Sequence, residues 1–371
     1  MILEKQDAVY AATKLMEYFK DFNRIDDYFR ARKIERVKNI PVALPGFSME
    51  DDLFQDYDVH PEDMDFKIAQ IPNEKFDTLL EMIASFTPEE SPGKTMKLVV
   101  METNTNKIVG FIRLGSPLIN SKPRNDWLGG VPDLEIFNQR AVMSMVVVPV
   151  QPAFGFNMLG LKALAMLCCS HEIRRMFNDK YNIDLAVSET TSLFGSIKKV
   201  SAYDGLKPWL KYLGDTQSKF LLTLGDEIYL ELKEWFTEKN GGQDLIHKGA
   251  SSKKLKWQTK AVGIVKSSLK KHDEKAYQLF CDKMQTAGEI TTQKRFFVST
   301  MGWSNSKDVL LGKTEKLEKA ENFDRYSMEA IMLKWKKMAG KRYSNLIADG
   351  RVRKELEVWN QDTMNKIDII R

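Results

Sequence analysis

From Asp65 onward the apolar positions follow two periods in turn, and each switch of period marks an element. DFKIAQI alternates as a strand. NEKFDTLLEMIASF repeats its apolar residues at helical spacing behind an Asn that reads as an N-cap. KLVVMET and IVGFIRLGS are strands joined by the turn NTNK, and SPLINSKPRNDWLGGVPD reads as a long loop. AVMSMVVVPV is an apolar strand, residues 157–177 a helix apolar almost all round, and IDLAVSETT a further strand. The short helix SIKKVSAY and the strands LKPWLKYLG and KFLLTLGD close the series. Upstream, residues 1–38 read as helix through Val9, Leu15, Phe19, Phe22 and Phe29, and SMEDDLFQDYDVHPEDMD is an acidic, turn-rich linker. Residues 226–371 read as mostly helical.

The order β-α-β-β-loop-β-α-β-α-β-β combines a hairpin with crossovers, which predicts an α+β protein with a mixed sheet flanked by helices. Three regions follow: a helical arm with linker over residues 1–64, the sheet domain over 65–230, and a basic, mostly helical region over 231–371. The strand of Met143 to Val150 is expected beside, and parallel to, that of Ile183 to Thr190.

At 43% hydrophobic and 29% charged, the composition is that of a folded chain, and no apolar run reaches membrane-spanning length, so the protein reads as cytoplasmic with no membrane partner. Cys168, Cys169 and Cys281 form no disulfide framework, and the four histidines have no zinc spacing, so no metal is assigned. The net charge of +5 divides into about −6 over residues 1–250 and about +11 over residues 251–371, which points to nucleic acid as a partner for the basic part. Within it, Lys253, Lys254, Lys256 and Trp257, and Lys334, Lys336, Lys337, Lys341 and Arg342 near Trp335 and Tyr343, interleave charge with aromatic rings that could stack bases.

The stretch VVVPVQPAFGFNMLGLKAL carries a strand through a Gly-bearing turn into a helix, the parts of an anion site. It resembles the strand-to-helix cofactor motif of the GNAT acyltransferase fold, and KLVVMETNTNKIVGFIRLGS resembles that family's second and third strands. The GNAT turn carries two glycines, whereas QPAFGFN has only Gly155. A closer resemblance is to the Druantia anti-phage protein A family and its phage homologues. It rests on Asn138 and Arg140 in FNQRA, Pro149, Asn157, Glu189 and Thr190 in SETTS, Phe194, Gly195 and Ser196 in LFGSI, and Tyr212, Leu213 and Gly214; that family's following Gly-Arg-Gly is QSK here.

These resemblances imply a phage-type, GNAT-like transferase that modifies nucleic acid or a nucleic-acid-associated substrate. Glu189 is its candidate base, with Ser188 beside it and Tyr203 as the acid. Val148, Gly155, Phe156 and Asn157 would hold an acyl-CoA or another phosphate-bearing donor, and Asn138, Arg140, Thr190, Gly195 and Ser196 the substrate. The alternatives are a non-catalytic nucleic-acid-binding protein on the same scaffold, with Glu189 paired to Arg140 or Lys198 for structure, and an acyl-CoA N-acyltransferase acting on a protein or small amine.

Overall fold

The computed structural model describes residues 1–38, 48–88, 93–151, 154–155, 157, 159–193, 200–219, 221–247, 253–291 and 293–369. In chain order these form α1 (Lys5–Phe19), α2 (Ile25–Val37), α3 (Met49–Asp52), β1 (Phe66–Ala69) and α4 (Asn73–Ile83). Next come β2 (Thr95–Glu102), β3 (Ile108–Gly115), α5 (Lys122–Leu128), α6 (Leu134–Arg140), β4 (Ala141–Pro149), α7 (Leu161–Leu167) and α8 (His171–Tyr181). They are followed by β5 (Val187–Ser192), β6 (Lys211–Lys219), α9 (Asp226–Lys239), α10 (Lys253–His272) and α11 (Glu274–Glu289). The series ends with β7 (Gln293–Ser299), α12 (Ser306–Leu310) and α13 (Met328–Ala348). Among the described residues no helix is long and apolar enough to cross a membrane.

The chain divides into two compact units, Met1–Lys38 with Lys219–Thr292, and Asn39–Ser218 with Gln293–Arg371. The first is helical. Its α1 and α2 are separate helices rather than one, because the Asp27 carboxylate accepts the Arg24 N–H at 2.8 Å and caps a fresh start. Trp257 is fully buried in this unit, edge-on to Tyr229 and Phe236, and Leu3 N donates to Ser268 Oγ at 2.8 Å.

The second unit is built on a seven-stranded mixed sheet in the order β1-β2-β3-β4-β5-β7-β6. The α+β class and the mixed sheet agree with the reading of the pattern. So does the central pair, since β4 and β5 run parallel, Ala141 opposite Val187 through Ser144 opposite Thr190. Their ladder stops there although both strands continue: β4 goes on against β3, and β5 against β7. One face of the sheet is covered by α7, α8 and α13, packed through Leu164, Phe177, Trp335 and Tyr343. On the other lie α4, whose Phe76, Leu79, Leu80 and Ile83 recur at helical spacing, and α5, α6 and α12 around Leu128, Phe137 and Leu310.

Several local expectations are corrected. The stretch 116–133, read as a long loop, contains α5, and residues 202–203, read as part of a short helix, are a turn. Asn73 is the first residue of α4 and Pro72 precedes it as the cap. The helix expected over residues 157–177 is two, because the Ser170 hydroxyl accepts the Ile173 N–H at 3.2 Å and starts α8. Residues 206–210 are a turn instead of a strand, held where Trp209 Nε1 donates to the Arg325 carbonyl at 2.9 Å. The neighbour of β6 is β7, a strand inside the region read as mostly helical, and residues 221–225 are not strand.

At the crossing of α7 over the sheet, a Cβ on Gly110 would lie 2.5 Å from Leu164 Cδ1. Gly110→Val should therefore destabilise the second unit by about 1–3 kcal/mol or more through overpacking. Urea unfolding checks this, and adding Leu164→Ala should recover part of the loss. An unshifted midpoint in the single variant would refute the close packing.

Candidate functional site

Glu189 sits in the middle of β5, paired to Met143 on one side and Val298 on the other, and its side chain is fully buried. The carboxylate meets Arg124, from α5, whose Nη1 lies 3.3 and 3.2 Å from the two oxygens. The same guanidinium donates to the carbonyls of Leu118 at 2.8 Å and Ile119 at 3.0 Å and lies 4.0 Å over the Phe137 ring. A charge this deep needs such a partner, and Arg124 supplies it. Burial pushes the Glu189 carboxyl up to about 7, with the Arg124 charge opposing the rise. Arg140 is engaged elsewhere: it donates from Nη1 to the Asp184 carboxylate and carbonyl, and from Nη2 to the Glu315 carbonyl, each at 3.1 Å.

Strand alternation sends Ser188 and Thr190 to the face opposite Glu189. There Thr190 Oγ1 donates to the Ser144 carbonyl at 3.1 Å, and Tyr203 packs edge-on to Phe297. Burial raises the Tyr203 phenol far above its ordinary value; the nearby Cys168 adds to the rise and Thr190 opposes it. Cys169 is pushed up to about 12 for the same reason and, like Cys168, is a small buried apolar residue. Of the three residues expected to do chemistry, Glu189 thus faces one side of the sheet, and Ser188 and Tyr203 the other.

In the turn after β4, the Gly155 N–H donates to the Val150 carbonyl at 2.9 Å, and a Cβ at that position would meet the Gln151 side chain at 2.0 Å. Asn157 is buried and spends its amide on a backbone segment: Nδ2 donates to the Arg353 carbonyl and Oδ1 accepts the Arg353 N–H, both at 3.0 Å. Val148 is half-buried and packs toward α4. Asn138 is exposed at the end of α6, its carbonyl accepting from Lys94 at 2.7 Å. Phe156, Lys198, Gly195 and Ser196, with Phe194, lie outside the described residues.

Of the basic set, Lys253 and Lys256 are exposed, whereas Lys254 is buried against Asp226. Trp257, Trp335 and Tyr343 are core residues, 0%, 1% and 9% exposed, which corrects the expectation that they stack bases. Lys336 pairs with Asp65 at 2.8 Å and Arg342 Nε donates to the Asn157 carbonyl at 2.8 Å, while Lys334, Lys337 and Lys341 are exposed. The residue that the pattern missed is Arg124. It lies in a Pro- and Gly-rich stretch with no apolar period, and its one local signal is Pro123 in the first turn of a short helix.

The family described as Druantia protein DruA matches residues 30–276, about two thirds of the chain. The chain belongs to this family. No curated protein and no solved structure matches it. The DruA span contains Arg124, Glu189 and Tyr203 and ends before β7 and α13. The DruA match thus bears out the resemblance drawn from SETTS and its companion motifs.

The buried acid has a pH signature. Its folded value stands above the ordinary 4.5, so the fold favours the protonated form: Glu189's contribution is full below about pH 4.5 and is lost as pH rises through about 7. The loss amounts to about 3 kcal/mol at about 1.4 kcal/mol per pH unit. Urea unfolding at mildly acid and mildly alkaline pH should show wild type losing this stability and Glu189→Gln, which cannot ionise, lacking that part of the slope. Identical slopes would show that Glu189 does not titrate across this range.

Proposed function

We propose that this DruA-family protein acts in anti-phage defence, and that its sheet-bearing unit is a group-transfer enzyme whose acceptor is nucleic acid. The observation that carries the reading is the parting of β4 from β5 beyond Ser144 and Thr190, at the carboxyl ends of two parallel strands, with Glu189 at the point of separation. Ligands of open α/β sheets lie at such places. Glu189 and Tyr203 come to that point from opposite faces, as a base and an acid acting on two sides of one reacting group would.

In the proposed reaction an acceptor amine attacks the carbonyl of an acyl donor, a new N–C bond forms, and the bond from that carbonyl to the donor's sulfur or oxygen breaks. Glu189 takes the proton lost by the amine. Tyr203, whose raised phenol value keeps it protonated, returns a proton to the leaving group. Glu189 is enclosed with Arg124, whose charge opposes the rise caused by burial and so favours the ionised carboxylate that can take the proton. The phosphate-bearing donor fits the turn of residues 151–160 less well, since Gly155 N–H and the Asn157 amide already have protein partners.

Those same commitments favour a second reading, a non-catalytic nucleic-acid-binding protein in which Glu189 and Arg124 only hold the sheet together. Mass spectrometry of nucleosides from cells expressing wild type, Glu189→Gln or Tyr203→Phe separates the two. The transferase reading expects a mass-shifted nucleoside with wild type, absent with Glu189→Gln and reduced on the order of tenfold or more with Tyr203→Phe, each variant soluble and folded by circular dichroism. Unchanged nucleosides in all three strains would favour the binding protein.

A further inference from the structure

Helix α13 has a buried apolar face and a solvent side on which lysines stand beside the exposed Leu333 and Ile347. Ile331, Trp335, Ala339, Tyr343 and Leu346 are buried, and the two aromatic residues are pinned: Trp335 Nε1 donates to the Leu159 carbonyl at 2.7 Å and Tyr343 Oη to the Tyr57 carbonyl at 2.9 Å. Two of its cations also serve the protein, Lys336 on Asp65 and Arg342 on the Asn157 carbonyl. The remaining three, Lys334, Lys337 and Lys341, are exposed and make no ion pair among the described residues. At 3.6 residues per turn they fall within about 60° of one another, spaced about 4.5 and 6 Å along the axis. The helix's one acidic residue, Glu329, is in the first turn, about 140° round from Lys334.

We infer that this lysine stripe is a docking surface for the phosphate backbone of duplex DNA. It names the form of the acceptor and so rests on the proposed function for its biological use. Charge complementarity chooses a polyanion: three uncommitted ammonium groups in one row, with no carboxylate among them, meet a polymer carrying a phosphate about every 3.4 Å along each strand. The burial of Trp335 and Tyr343 chooses duplex over single strand, because sequence-independent single-strand binding relies on aromatic rings free to stack unpaired bases, and on this helix those rings face the core. An anionic membrane is disfavoured because an interfacial helix needs its apolar face for the lipid, and that of α13 is already packed on the sheet. Recognition through lysine and phosphate alone is independent of sequence.

The test is fluorescence anisotropy of the full chain with a short mixed-sequence DNA duplex across a range of salt, with a single strand of the same sequence and phosphatidylserine vesicles as the other probes. Duplex should bind best. The log-log salt slope should flatten by about 2.7 in Lys334→Ala/Lys337→Ala/Lys341→Ala, at about 0.9 for each phosphate no longer neutralised, with little change in Lys336→Ala. Equal binding of the triple variant and wild type to duplex, with the fold confirmed by circular dichroism, overturns the inference, as does a preference for single strand or for vesicles. Loss of duplex binding in the triple variant, in a protein that modifies no nucleoside, sinks the transferase reading and leaves this one standing.

Discussion

A strand hydrogen-bonded along both edges and covered on both faces leaves its polar side chains no route to water, and β5 carries Ser188, Glu189 and Thr190 in that situation. Each must find a partner inside the protein. Thr190 takes a carbonyl of the neighbouring strand, and Glu189 requires a cation delivered from the opposite layer. That demand accounts for α5 and the segment before it. Arg124 ties Glu189 to the Leu118 and Ile119 carbonyls and to the Phe137 ring, so one guanidinium fastens a loop, a helix and the central strand together. Such a pair gives little net stability over an apolar substitute, yet losing either member strands the other.

The same accounting shapes the rest of the sheet-bearing unit. The turn after β4 has the backbone amides and the Asn of an anion site, but its donors close on the protein, on Val150 and on Arg353. Asn157 thereby acts as a clip for a stretch almost two hundred residues further along the chain. The basic helices divide in a similar way. Where a lysine or arginine finds an oxygen within the fold it becomes structural, as with Lys254, Lys336 and Arg342, and only the remainder face outward.

Local pattern carried much of this: the strands β1 to β5, the α+β class, the parallel neighbours β4 and β5, and the position of Glu189 on a central strand all follow from period and from βα order. The DruA resemblance was readable from motifs of two or three residues. Turn chemistry was not readable: Asn73, read as a cap, is the first residue of α4, and Ser170, inside a segment read as one helix, is the cap that divides it. The aromatic residues among lysines could not be assigned from sequence, because the period that places Trp335 and Tyr343 on one side of α13 does not say which side meets the core.

What tertiary structure alone decided is every pairing across long separation. β7 enters the sheet between β5 and β6 after an excursion through a helical unit, and no local signal announces a β5 partner more than a hundred residues away. Arg124 reaches Glu189 across sixty-five positions, out of a stretch without periodicity. Sequence sets the conformations that a short segment prefers, through sterics and side-chain period. Which segments meet is set by the burial of whole faces at once, and a carboxylate's partner is whichever cation that packing brings within reach.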